Sequence, residues 1–247
     1  MWQYILLGVI QGIFEWIPIS SEGIVASVSN FFVSEINPID IALFLHLGTF
    51  LAVVVYFRKD WKQVFLLREP RLLRFLIIAT IVSLAIGFPL YMIIRNAATG
   101  AILLLIMGCG LLVTAFFHRV KRFNLALDRD SVKLAVMAGF LQGLAVIPGL
   151  SRSGATIFGL SFGKLSPSQI LKVSYMMSAP VVLFSTAYLL LQNPVLIEGW
   201  PSLITSFVVG ILSLAFLMKI AERINFFIFA LVFAIICFIG GAIIFFI

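Results

Sequence analysis

Arg152 stands between Ser151 and Ser153, and the chain has no other Lys or Arg between Lys133 and Lys164. Glu15 follows Gln11 by four residues, on one helix face, and precedes Ser20, Ser21 and Glu22. Both ionisable groups sit in strongly apolar surroundings, where a charge is costly and points to function by default. The planar guanidinium fork of an arginine matches phosphate oxygens. A carboxylate such as Glu15 can pair with that arginine, ligate a divalent cation or carry a proton. Ser21 offers a hydroxyl as phosphate ligand or nucleophile. A helix starting at Gly154-Ala155-Thr156 would turn N–H groups and its positive dipole end towards an anion, with the Thr156 hydroxyl one turn in. These residue types together suit phosphoryl chemistry. Each also has a plainer reading. Arg152 and Glu15 can form a structural ion pair, Gln11 can be a packing residue, Ser20 and Ser21 can cap a helix with Glu22, and His46 can be a satisfied core residue rather than a base.

The elements that must position these residues come in two copies. Residues 11–23 and 142–154 align without a gap at an offset of 131, sharing Gln11/Gln142, Gly12/Gly143, Ser20/Ser151 and Gly23/Gly154. Both are polar, Pro/Gly/Ser-rich knots, and such backbone persists in lipid only when buried in protein or lining a wet cavity. Matching knots in two halves of a chain predict a site at a repeat interface.

The chain is 62% hydrophobic, with mean hydropathy +1.18, which predicts a polytopic membrane protein. Six runs are long enough to span: Ile39–Phe57, Leu72–Ile94, Ala97–Phe117, Gln169–Leu191, Leu203–Lys219 and Phe226–Ile247. Pro89 and Pro180 fall inside two of them. The broken runs Ile5–Val33 and Leu134–Gly163 read as re-entrant hairpins. Under the offset of 131, each half has one hairpin and three spans, and three is odd, so the halves are predicted to be inverted. The expected fold is therefore an all-α, single integral-membrane domain over 1–247, with repeat 1 about 1–120 and repeat 2 about 131–247.

The net charge of +7 is read as cytoplasmic loops facing anionic lipid, not as a nucleic-acid site. Residues 1–57 hold no Lys or Arg, and basic residues cluster at 58–74 and 119–133; the only sizeable hydrophilic loops are 58–71 and 118–133. The positive-inside rule then puts both termini and the first hairpin's entry outside, and Arg95 alone falls on the wrong side. No cleavable signal is read at the start. Cys109 and Cys237 lie in apolar runs and suggest neither disulfide nor zinc. Gly108, Gly110 and Gly210 permit close helix packing, so a second copy of the chain is a candidate partner.

Gln11-x-x-x-Glu15 with Pro18-x-Ser20-Ser21-x-Gly23, and Pro148-Gly149-x-Ser151-Arg152-Ser153-x-x-Thr156, resemble the two signatures of the undecaprenyl pyrophosphate phosphatase, or bacitracin-resistance, family. Leu47–Val55 and the stretch 174–180 also look like family sequence. The resemblance implies six spans, two re-entrant hairpins and an inverted repeat in the plasma membrane. It implies an outward-opening site that removes one phosphate from an undecaprenyl- or dolichyl-type pyrophosphate, with Mg²⁺ or Ca²⁺. On that resemblance Glu15 is the essential carboxylate and candidate metal ligand, Ser21 the nucleophile or ligand, and Arg152 the phosphate clamp. Gln11, Ser20, Ser151, Ser153, Gly154 and Thr156 are candidates for the phosphate cradle. The chain departs from the family at Ile24, where a histidine usually follows Gly23, at Gln11, where Glu is frequent, and in 226–247, which lacks an expected arginine. Glu22 and His46 are extra ionisable groups that compensate on this reading. A carrier or flippase of polyprenyl phosphate or another anionic lipid is the alternative, because inverted repeats with midplane anion sites also build transporters. A binding-only relative is a third.

Overall fold

The computed structural model describes residues 2–17, 20–33, 36–97, 100–119 and 131–220, with scattered positions between 231 and 242. Pro18 of the first knot, most of the loop 118–133, Cys237 and most of the predicted span Phe226–Ile247 lie outside the described residues. The described elements are helical: α1 Trp2–Phe14, α2 Ser21–Phe32, α3 Pro38–Tyr56, α4 Arg58–Phe65, α5 Pro70–Ala97, α6 Gly100–Arg119, α7 Val132–Leu144, α8 Arg152–Leu160, α9 Pro167–Gln192, a 3-10 helix Pro194–Gly199, and α10 Trp200–Ile220. The chain is a multi-pass membrane protein. Four described segments are long and apolar enough to cross a bilayer: Pro38–Tyr56, Pro70–Arg95, Ser168–Gln192 and Pro194–Lys219. In α6 the described apolar stretch is Leu105–Phe116.

Helix starts follow local chemistry. Ser20, Ser131, Ser151 and Ser166 each accept a backbone N–H from three residues on, and Asn37 accepts one from Ile39. Pro38 and Pro167 occupy the first helical position, where no N–H is needed. Pro89 and Pro180 sit inside α5 and α9 as expected from the sequence. Helices α1 and α7 have 13 residues each. At 1.5 Å per residue each reaches about 20 Å, short of a hydrocarbon core of about 30 Å. Each ends at a knot and is followed by a short helix, α2 or α8.

Lipid gives no hydrophobic drive for helices to associate, so close backbone approach must supply the attraction. Helix α1 packs along α10, and α7 along α5. A Cβ on Gly12 would lie 2.8 Å from the Gly210 nitrogen, and one on Gly143 would lie 2.8 Å from the Ser83 carbonyl oxygen. Helix α3 packs against α2, α9 and α10, at the middle of the bundle. Trp16, just after α1, is buried against Tyr175 of α9 with ring centroids 5.2 Å apart. Its indole N–H donates to the Gly210 carbonyl at 2.8 Å, and the Tyr175 hydroxyl donates to the Trp16 carbonyl at 3.1 Å. The outward faces of α5, α9 and α10 expose Ile77, Ile81, Phe184, Leu212 and Phe216, as lipid-facing surfaces do.

Three features differ from the reading of the sequence. The stretch 58–71, expected as loop, contains α4, because Trp61, Val64 and Phe65 give it an apolar face and Val64 is buried. Arg95, the charge that the sequence reading leaves on the wrong side, is answered by Asp40, which is fully buried. The Arg95 Nε and Nη2 donate to both oxygens of Asp40 at 2.6–3.0 Å, and the Tyr91 hydroxyl adds a bond at 2.6 Å. The glycines read as candidates for packing a second copy are used within the chain. Gly110 faces Leu150, whose nitrogen would be 2.5 Å from an added Cβ, Gly108 faces Phe238, and Gly210 faces α1 and Thr49.

Candidate active site

The two knots meet. Glu15 lies in the turn after α1 and is 4% exposed. Its Oε1 is paired with Nη2 of Arg152, the first residue of α8. Its Oε2 accepts from Gln11 Nε2 at 2.5 Å and from Ser21 Oγ at 2.9 Å, and stands 3.2 Å from His46 Nε2 of α3. Both oxygens of the carboxylate are thus already surrounded by polar neighbours. His46 Nδ1 lies 2.8 Å from the Ala42 carbonyl. A carbonyl can only accept, so Nδ1 carries a hydrogen and Nε2 faces Glu15. That Nε2–Oε2 contact is attractive when one proton lies between the two atoms.

Backbone and hydroxyl bonds fix the knots on one another. Ser20 Oγ accepts the Gly23 N–H at 3.2 Å and, across the interface, the Gly149 N–H at 3.0 Å. Ser153 Oγ donates to the Ile17 carbonyl at 3.3 Å. Gly149 has φ +91°, a left-handed conformation that suits glycine, and its Cα faces the Met107 backbone of α6. Thr114 of α6, fully buried, accepts the Ser151 N–H at 3.0 Å and donates to the Gly149 carbonyl at 3.3 Å. Helix α6 therefore braces the second knot.

A small polar cavity is lined by Glu15, Ser20, Ser21, Glu22, His46, Ser151, Arg152 and Ser153. It adjoins a larger, mostly apolar cavity between α3, α5, α7 and α9; Glu22, His46 and Arg152 border both. Phe88, Tyr91, Phe184 and Tyr188 line the larger cavity away from the knots. Buried Arg152 Nη1 and Glu22 Oε1 have no hydrogen-bond partner among the described residues.

The sequence-predicted residues divide into two groups. Glu15, Ser20, Ser21, Glu22, His46, Ser151, Arg152 and Ser153 share the cavity wall. Gln11, Gly154 and Thr156 stand behind it. Gln11 supports Glu15, and the Gly154 N–H is taken by Ser151 Oγ at 3.1 Å. The Thr156 hydroxyl bonds back to the Arg152 carbonyl at 2.8 Å and meets Ser174 Oγ at 2.6 Å. The Arg152–Glu15 ion pair offered by the plainer reading is present, yet it occupies only one terminal nitrogen of the guanidinium. Reading the sequence missed Trp16, Thr114, Ser174 and Tyr175. A lone threonine in apolar α6, and the polar Ser174-Tyr175 pair inside a span, were the available signals.

Residues 4–242 match the family model described as bacitracin resistance protein BacA. The chain is 36% identical over 245 residues to an undecaprenyl-diphosphatase of Methanopyrus kandleri, covering 92% of this chain and 90% of that protein. It is 33% identical over 243 residues to an undecaprenyl-diphosphatase of Sulfurisphaera tokodaii, covering 91% and 90%. Similarity to an undecaprenyl-diphosphatase of Haloarcula marismortui is 34% over 262 residues, covering 96% of each chain.

Proposed function

This chain belongs to the bacitracin resistance protein BacA family, and from that premise we propose that it is an undecaprenyl-diphosphatase, cleaving undecaprenyl pyrophosphate to the monophosphate and inorganic phosphate. The observation that carries the mechanism is the meeting of Glu15, Ser21 and His46 with Arg152 across the two knots, beside an apolar cavity. The diphosphate enters the polar cavity, and the prenyl chain lies in the apolar one, against Phe88, Phe184 and Tyr188.

Arg152 is the switch between the empty and loaded site. Its free Nη1 meets phosphate oxygen first. As the guanidinium turns to the diphosphate, Glu15 loses a cationic partner and its Oε1 becomes open. The Ser21 hydroxyl already donates to Glu15, so its proton has an acceptor when Ser21 Oγ attacks the terminal phosphorus. A Ser21–phosphorus bond forms, the bridging P–O bond breaks, and undecaprenyl phosphate leaves with the bridging oxygen. Water then attacks the phosphoserine. The water proton passes to His46, the Ser21–phosphorus bond breaks, Glu15 returns its proton to Ser21 Oγ, and inorganic phosphate departs. Positioning and charge neutralisation account for most of such catalysis. His46, 3.2 Å from Glu15, is the proton partner of Glu15 in place of the histidine that family members usually carry where this chain has Ile24. A divalent ion, Mg²⁺ or Ca²⁺, when bound supplies charge neutralisation on the non-bridging oxygens. Glu15 is a poor seat for it, because Arg152, Gln11 and Ser21 already direct donors at its oxygens.

The same proposal extends to the architecture: six spans and two re-entrant hairpins in inverted repeats, about 1–120 and 131–247, within one plasma-membrane domain. Supports are the 131-residue spacing of the cap serines Ser20 and Ser151 and of the packing glycines Gly12 and Gly143, and the paired packing of α1 on α10 and α7 on α5. Both termini and the cavity mouth face outward, by the clustering of Lys and Arg at 58–74 and 119–133.

Purified protein in detergent, given undecaprenyl pyrophosphate and no ion gradient, should release one inorganic phosphate per undecaprenyl phosphate. Movement of lipid phosphate across vesicles without any release would instead make the chain a carrier. Acid quenching with substrate labelled on the terminal phosphate should trap label on Ser21. Turnover without a trapped species assigns the attack to water.

A further inference from the structure

Glu22 is the one ionisable side chain of the polar cavity that the mechanism above leaves unused. It is 8% exposed, and its buried Oε1 has no hydrogen-bond partner among the described residues. Leaving a carboxylate oxygen out of water with nothing to accept from is unfavourable. The capping box does not absorb it. Ser20 is the N-cap, so the reciprocating position is Gly23, and Glu22 stands one residue too early. The dipole of α2 favours a negative charge at this position, but it supplies no bonding partner for Oε1. Glu22 borders both cavities, beside Glu15, His46 and Arg152.

A second cation would answer this oxygen. Protein groups alone do not cage a metal: among the described residues no three His, Cys, Asp or Glu side chains converge to hold one. A hard divalent ion of the Mg²⁺ type does not require a cage. It keeps waters, takes one or two protein carboxylates, and completes its shell with substrate phosphates. Glu15 is surrounded by donors and Glu22 is not, so the two carboxylates have opposite characters. Glu22 is the carboxylate with an oxygen left open to a metal.

Building on the diphosphatase reading, we infer that Glu22 is the protein ligand for a divalent cation that binds together with the diphosphate. The free site holds the ion weakly, because a single carboxylate faces it. The ion and the diphosphate each raise the affinity of the other, as linkage requires. Ser21 and Glu22 both line the polar cavity, so α2 brings the attacking hydroxyl and the metal-bearing side chain to one site.

The test uses full-length protein in detergent and follows Mn²⁺ by electron paramagnetic resonance, alone and with a non-hydrolysable methylene analogue of undecaprenyl pyrophosphate. Wild type should bind Mn²⁺ about ten-fold or more tightly when the analogue is present, the gain expected from one coupled site. Glu22→Gln should lose that gain while still binding the analogue in the absence of metal, and Glu22→Asp should keep part of it. Glu15→Gln should keep the gain. Because Glu22→Gln keeps the shape of a side chain whose buried Oε1 makes no hydrogen bond to the described residues, its Tm without metal should equal or exceed that of wild type, which guards against misfolding as the cause. A full gain in Glu22→Gln, or its loss in Glu15→Gln alone, overturns the assignment while leaving the diphosphatase reading intact. An analogue that binds wild type neither with nor without Mn²⁺ overturns both.

Discussion

Glu15 and Arg152 lie 137 residues apart in sequence and act on one another directly. Replacing Arg152 by Lys keeps the charge but loses the planar fork, which must hold Glu15 and reach a phosphate oxygen in turn. Arg152→Lys should lower kcat by about 10²-fold, the cost of one misplaced transition-state donor, as read by steady-state phosphate release. His46→Gln keeps a hydrogen-bonding group near Glu15 but removes the exchangeable ring proton. A fall of about 10²-fold in kcat with KM little changed is the expected signature of lost proton transfer. An unchanged kcat would return His46 to the plain role of a buried packing residue. Much of this centre was legible in the sequence, because intramembrane ionisable residues are few and each demands an explanation. Two things were not. Arg152, Ser151 and Ser153 were readable as a cradle, but Gly154 and Thr156 turn their polar groups to neighbouring protein. Side-chain direction within a short helix depends on tertiary neighbours such as Ser174, which no spacing rule supplies.

At the scale of elements, the half-length helices α1 and α7 matter because they stop where they do. The caps Ser20 and Ser151, the left-handed Gly149 and the brace from Thr114 hold two interrupted chains tip to tip. Gly149→Ala places a Cβ against Met107 backbone in a conformation that L residues resist. Overpacking and backbone strain together should destabilise the protein by about 1–3 kcal/mol or more, seen as a lower Tm in detergent with activity falling in parallel. Thr114→Val keeps shape but orphans the Ser151 N–H, and about 1–3 kcal/mol is expected for an unsatisfied buried group. The four spans that the described residues contain were legible to within a few residues, as with Ile39–Phe57 against Pro38–Tyr56, because hydrocarbon thickness imposes length and composition. Helix α4 was not, since its 8 residues carry Arg58, Lys59, Asp60 and Lys62 and its apolar face gains meaning only where Val64 finds a buried site. The Asp40–Arg95–Tyr91 cluster was also invisible, because it joins the start of α3 to the end of α5 through tertiary packing alone.

For the molecule as a whole, the proposed repeat rests on the 131-residue offset, since four shared residues fall at the knots and the predicted spans follow the same offset. What the offset does not convey is asymmetry. Gln11 supports Glu15, whereas its counterpart Gln142 donates to the Met177 carbonyl at 3.2 Å and leaves its own oxygen on the larger cavity. One half therefore contributes the carboxylate and the serine, and the other the arginine. The proposed orientation predicts that a cysteine placed at Asn193, between α9 and the 3-10 helix, is labelled from outside intact cells by an impermeant maleimide. A cysteine at Gln63 in α4 should be labelled only after the membrane is opened. The reverse pattern would invert the topology and put the cavity mouth in the cytoplasm.

The central claim is that Glu15 and Arg152, one from each knot, form a single diphosphatase centre. It is tested most directly by phosphate release from undecaprenyl pyrophosphate for wild type, Glu15→Gln, Arg152→Ala and the double variant. Residues that act as a unit are strongly non-additive. Each single change should cost about 10³-fold or more, in the range of lost oxyanion donors, and the double variant should be little worse than either alone. Independent losses that multiply in the double variant, or single variants within ten-fold of wild type, would contradict the account.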